Sequence, residues 1–172
     1  LDEAATLLGG MPRQRLVVWA HASLDDFSAS TCGTSWSQAF YDGVLHVVVV
    51  GDTLDPALLQ SARHESLHAQ LGSLSPLAPR WLHEGLAQRF AGEPFDPATP
   101  VAQFSSAEVR AIDQDLGLGN DGPTAGAAYG RARLAVEQLV RRSGEGAFAE
   151  AVRALHAGTP ASSRPEHLGF AH

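Results

Sequence analysis

Residues 55–71, DPALLQSARHESLHAQL, constrain this chain more than any other stretch, because one helix there carries apolar side chains on two opposed faces. At about 100° per residue, Leu58, Ala62 and Ala69 fall on one side and Leu67 and Leu71 on nearly the other. A helix lying on a surface shows a single apolar stripe. Two stripes require a layer of protein on each side. Asp55 and Pro56 open the segment as N-cap and first helical residue. The helix is predicted to run to about Leu71, with Gly72 as its stop. His64 and His68 occupy the gap between the two apolar faces.

The flanking sequence supplies both layers. RLVVWAHAS (15–23) reads as a buried strand, and Ser23 then caps a short helix, LDDFSAST, with acids in its first turn. WSQAFYDGVLHVVVVGD (36–52) reads as two strands around the Asp42-Gly43 turn. The second of them, VLHVVVV, is continuous and β-branched, as for a strand buried on both faces. Beyond the central helix the pattern is helical: PRWLHEGLAQRFA from Pro79 to about Gly92, AEVRAIDQDLG capped by Ser106, a long helix over about 125–142, and AFAEAVRALHAG at 147–158. The expected fold class is α+β: a small N-terminal mixed sheet with a helix, then the central helix, a second helix bearing Glu84, and a helical C-terminal part. One domain is expected over 1–172, with a core at about 15–158. The tail 159–172 has no clear pattern and is either disordered or draped over the body.

Composition excludes several classes. A net charge of −7 argues against an electrostatic nucleic-acid binder. The longest apolar run, around Val47 to Val50, is too short to span a membrane. With one cysteine, Cys32, neither an internal disulfide nor a multi-cysteine metal site can form. Cys32 reads as a small buried hydrophobe or, less simply, as a metal latch. The chain begins at Leu1 with no visible signal peptide, which reads as a processed or excised form. The compartment is left open, with an extracytoplasmic setting favoured.

His64-Glu65-Ser66-Leu67-His68 carries the chemistry. Residues four apart lie roughly 40° apart around a helix, one turn above the other, so both imidazoles can reach one ion. Glu65 sits roughly 80° from their midpoint, close enough to reach a water activated by that ion yet aimed away from direct coordination. Two neutral nitrogen ligands and a carboxylate that accepts a proton are what a metal hydrolase needs. A catalytic zinc ordinarily takes a third protein ligand. Glu84, in WLHEGLA, follows His68 after fifteen intervening residues, enough for a helix to end and a second to return beside it. Gly85 is expected to let that second helix approach the first closely, since an interior glycine costs about 1 kcal/mol and needs a reason. Trp81 and Gln88 share the Glu84 face and are expected to frame the ligand. Read alone, the same residues allow exposed histidines and an exposed acid near a helix start.

His64-Glu65-x-x-His68 followed by WLHEGLA resembles the gluzincin metallopeptidases, especially the compact bacterial peptidase-MA-like domains. The order of elements over about 16–158, including AAYGRARLAVEQLVRRSGEGAFAEAVRALHAG, resembles theirs. The resemblance implies a zincin-like fold and a zinc ion (Zn2+) held by His64, His68 and Glu84, with Glu65 as the general base for peptide hydrolysis. It also implies a sheet whose edge strand pairs with a bound peptide, and a cleft beside the histidine helix. The long insertions of full-sized members are absent. His83 stands where the family usually has a small or polar residue, leaving a supporting or substrate-contacting role open.

Tyr129, expected to open the long helix after a glycine-rich loop, is the candidate oxyanion donor; a core tyrosine packing the helix start is the other reading. His156 reads as a helix-end histidine facing the dipole. His167 and His172 read as solvated tail residues or as ligands to a metal in another copy. The expected partner is a peptide or protein substrate. A zinc-bearing domain that binds a peptide with little turnover, and an interaction module in which the motif is accidental, are the alternatives.

Overall fold

A computed structural model describes residues 15–31, 37–51, 55–74, 78–95, 103–117, 123–156 and 168–170. Among them the chain is α+β and mostly helical, with one small mixed sheet and six helices. The elements are β1 (Val18–His21), α1 (Leu24–Ser30), β2 (Ala39–Tyr41), β3 (Leu45–Val48), α2 (Pro56–Leu74), α3 (Arg80–Ala91), α4 (Ser106–Gly117), α5 (Pro123–Ser143) and α6 (Glu145–His156).

The sheet has the order β1-β3-β2. β3 is the central strand and all four of its residues are buried, as its unbroken apolar run predicts. β2 pairs antiparallel with it, Ala39 opposite Val47 and Tyr41 opposite Leu45. The connecting turn needs Gly43 at φ 115°, and Asp42 Oδ1 accepts from Val44 N at 3.2 Å. β1 pairs parallel to β3, with Val18 opposite Leu45. Here the expectation of a buried strand fails. Among the described residues β1 is an edge, and Val18 and Trp19 are each more than half exposed. Apolar content marked a strand correctly, but burial of its side chains depends on what packs over the sheet faces, which the strand's own residues do not specify.

A feature without a sequence signal stitches this sheet together. His21 on β1 and His46 on β3 are buried, and their rings meet through a 2.9 Å hydrogen bond between His21 Nε2 and His46 Nδ1. His21 Nδ1 donates to Asp26 Oδ2 on α1 at 3.1 Å, and His46 Nε2 faces Asp42 Oδ1 in the turn at 3.4 Å. Trp19 stacks beside both imidazoles. Helix α1 is thereby tied to the sheet, aided by the Ser23 cap, whose side chain accepts from Asp26 N, and by buried Phe27.

Helix α2 lies between two layers, as its two apolar faces require. Leu58 joins Ala39, Leu45 and Val47 in a cluster against the sheet, with Ala62 beside it. Leu67 and Leu71 join the larger helical core with Trp81, Leu82 and Leu86 of α3, Val109 and Ile112 of α4, and Ala132, Val136 and Leu139 of α5. The start of α2 matches expectation, with Asp55 Oδ1 accepting from Ala57 N at 3.0 Å. Its end does not. Gly72 keeps helical φ and the helix continues to Leu74. Helix α3 ends as predicted at Gly92, in the left-handed conformation at φ 69°. Helix α4 is capped by Ser105 rather than Ser106. Ser105 Oγ accepts from Glu108 N, and Glu108 returns the bond to Ser105 N, a reciprocal capping box. Helix α5 begins two residues before its expected start, which places Tyr129 inside the helix instead of at its opening. Phe170, from the tail, is buried edge-on against Trp81, so that part of the tail is draped and not loose. No described helix is long and apolar enough to cross a membrane.

Candidate metal centre

Helix α2 presents His64 and His68 one turn apart, their rings 4.9 Å between centroids. Helix α3 returns beside it and brings Glu84 between them. Glu84 Oε2 lies 3.2 Å from His64 Nε2 and 3.4 Å from His68 Nε2. One donor atom from each of the three residues falls within 4.8 Å of the others. Donors about 2.0–2.1 Å from a tetrahedral zinc stand roughly 3.3–3.5 Å apart, so both carboxylate–imidazole separations suit a shared cation. The donor set, two imidazoles and one carboxylate, suits zinc chemically as well.

The partner of His64's other nitrogen lies where sequence reasoning could not choose one. His64 Nδ1 donates to Glu93 Oε1 at 2.7 Å. That bond holds the proton on Nδ1 and turns the Nε2 lone pair towards the cluster. Glu93 follows the Gly92 cap directly, and its N–H bonds the Gln88 carbonyl at 3.1 Å, so the helix stop itself aims this carboxylate. A glycine stop followed by an acid was the available signal, and many surface turns share it.

The charges are strongly coupled. With a proton instead of a cation at Nε2, burial by itself would lower the His64 pKa. Hydrogen bonds to Glu84 and Glu93 outweigh burial and hold it at about 10. Burial would raise Glu84, but the bonds from His64 and His68 bring it down to about 2. Glu65 moves the other way. Burial raises its pKa against the pull of His68 and His64 and of a backbone hydrogen bond from Tyr41. Tyr129 is pushed up to about 12 by burial and by the Glu84 and Glu65 carboxylates, so its hydroxyl keeps its proton.

His64, Glu65 and Tyr129 line two adjoining lobes of one cleft. The first lobe, about 430 Å³, also has His68, His83, Glu84 and Arg80, with Ala39, Phe40 and Tyr41 of β2 forming its opposite bank. The second, about 410 Å³, has Gln60, Ser61 and Glu93. His83 stacks on His68 at 6.0 Å between ring centroids.

Two expected contacts are corrected. Trp81 does not frame Glu84, because its ring is fully buried in the helical core. Gln88 does adjoin the site, but through the backbone. Its Nε2 donates to the carbonyls of Glu84 at 3.3 Å and Tyr129 at 2.9 Å. Gly85 permits a close approach to α5, not to α2. A methyl group there would overlap the Ala132 carbonyl and lie 2.6 Å from Val136 Cγ2. Cys32, His167, His172 and the side chain of His156 fall outside the described residues. No protein-family model, curated protein or solved structure matches this chain.

Proposed function

We propose that this chain is a zinc-dependent peptidase of the gluzincin type with a zincin-like fold. One observation carries the reading. His64, His68 and Glu84 converge from two helices on one point, and Glu65 and Tyr129 face the same cleft.

His64, His68 and Glu84 would hold a zinc ion, which when bound would supply Lewis-acid chemistry to a carbonyl and to water near neutral pH. The chain's own residues do the rest. Glu65 receives a proton at its carboxylate and passes it to the departing amine. Its burial supports that role, since a raised pKa brings a carboxylate closer to the pH at which it must both take and give. Tyr129, kept protonated, donates from its hydroxyl to the oxygen that gains negative charge as the carbonyl is attacked. Glu93 fixes the His64 ring. β2 is a sheet edge among the described residues and lines the cleft; an extended peptide laid along it would have to take over the outward groups of Ala39, now bonded to Ser37 Oγ, and of Tyr41, whose N–H bonds Glu65.

The test is Glu65→Gln. Zinc content measured on dialysed protein should stay near one per chain, while cleavage of a mixed peptide library, followed by mass spectrometry, should fall by about 100-fold or more. Zinc bound with unchanged cleavage removes Glu65 as the base. Zinc bound with no cleavage in either protein turns the reading into a peptide-binding zinc domain. Protein that binds no zinc ends it.

A further inference from the structure

The two lobes of the cleft differ in the charged residues that line them. Beyond the residues they share, the first lobe contains Arg80 and the metal-cluster acid Glu84, and the second Glu93. Arg80 stands in the first turn of α3, and its Nη1 donates to the Leu116 carbonyl at the end of α4, 3.3 Å away. Arg80 is exposed, and that bond ties its side chain to the end of α4. Among the described residues no carboxylate pairs with it, whereas Arg89, Arg131 and Arg133 all pair with acids. A guanidinium has five N–H donors in a planar fork that matches a carboxylate. In this lobe one of the five is committed to Leu116. Of the lobe's acids, Glu84 is the one that would hold the zinc ion and Glu65 is shared with the other lobe; Ala78, His83 and Leu116 add none. Glu93, in the other lobe, would repel a carboxylate there.

We propose, resting on the peptidase reading above, that the Arg80 lobe takes a carboxylate of the substrate, so that peptides bearing an acid on that side of the cleaved bond are preferred. An acidic side chain and a chain-terminal carboxylate offer the same chemistry to the guanidinium. The substrate therefore lies with its acidic part over α3 and the end of α4, and with any cationic part towards Glu93.

Four peptides of one sequence separate the sources: Glu or Gln beside the cleaved bond, each with a free or an amidated C-terminus. With the zinc-loaded full chain, kcat/KM should be about tenfold or more higher for whichever carboxylate the lobe takes than for its neutral counterpart. In Arg80→Gln that ratio should fall to near one, and Arg80→Lys should restore part of it. Zinc content and far-UV circular dichroism check that both variants are folded. A ratio near one in the wild type, or one unchanged in Arg80→Gln, overturns the proposal. If the wild type cleaves none of the four, the peptidase reading fails separately. Fluorescence anisotropy of the labelled peptides on zinc-loaded Glu65→Gln, with and without Arg80→Gln, then decides the matter. A carboxylate preference that vanishes with Arg80 sustains the assignment, and no preference ends it.

Discussion

His64 holds its proton far above the pH at which a free imidazole loses it, and this governs how the site takes up a cation. Its folded pKa of about 10 exceeds the ordinary 6.5, so the Glu84 and Glu93 bonds stabilise the ion-free protein fully below pH 6.5 and progressively less as pH rises through about 10. Glu84 has the opposite sign. Its contribution is present above 4.5 and is lost as pH falls through about 2. The window shared by both is pH 4.5 to 6.5, where apoprotein should melt highest on this account. A metal ion must displace the His64 proton. Calorimetric titration with zinc in buffers of different ionisation enthalpy should therefore show close to one proton released from this group at pH 7. The affinity should climb about tenfold per pH unit until about pH 10. Uptake without proton release would contradict the assignment of His64. Glu93→Gln keeps the size of the side chain but weakens the hold on His64 Nδ1, and zinc affinity measured by competition with a chelating dye should fall by about 10–100-fold.

Between elements, α3 packs directly against α5 beside the site. Gly85 meets the Ala132 backbone with no side chain between, and backbone cannot move aside as a flexible side chain would. Gly85→Ala should cost about 1–3 kcal/mol as an overpacked contact. For a chain of this size that is roughly 2–4 °C of melting temperature per kcal/mol. Because Glu84 is the adjacent residue, zinc affinity should fall with it. Gly72→Ala provides the opposite sign. It is a helical position where an added methyl meets nothing within 4 Å, so the melting temperature should rise, by up to about 1 kcal/mol of helix preference. Scanning calorimetry of the two variants separates a packing glycine from an incidental one.

Across the whole molecule, what could be read from sequence depended on range. Local signals worked. The Asp55 cap, the Gly92 stop, the Asp42-Gly43 turn and the two-faced pattern of α2 each involve residues within a few positions of one another. The approach of His64, His68 and Glu84 followed from helix geometry and a connection of suitable length. Long-range choices did not follow. Nothing in Gly85 says which neighbour it admits, and helix α5 begins thirty-eight residues later. Nothing in His21 and His46 says that they meet, because they come together only when β1 chooses β3 as a parallel partner. Trp81 shares a face with Glu84 on a helical wheel, yet its bulk is claimed by the core and by Phe170 from the far end of the chain.

The position of α2 has one more consequence. The strand bank of the cleft rests on α2 through Leu58 and Ala39, and the α3 bank rests on it through Leu67 and Leu71. Both banks thus share a single wall among the described residues. A substitution that shifts this wall should therefore move both banks together. On the peptidase reading proposed above, an extended segment laid along the slot between them would meet both banks at once.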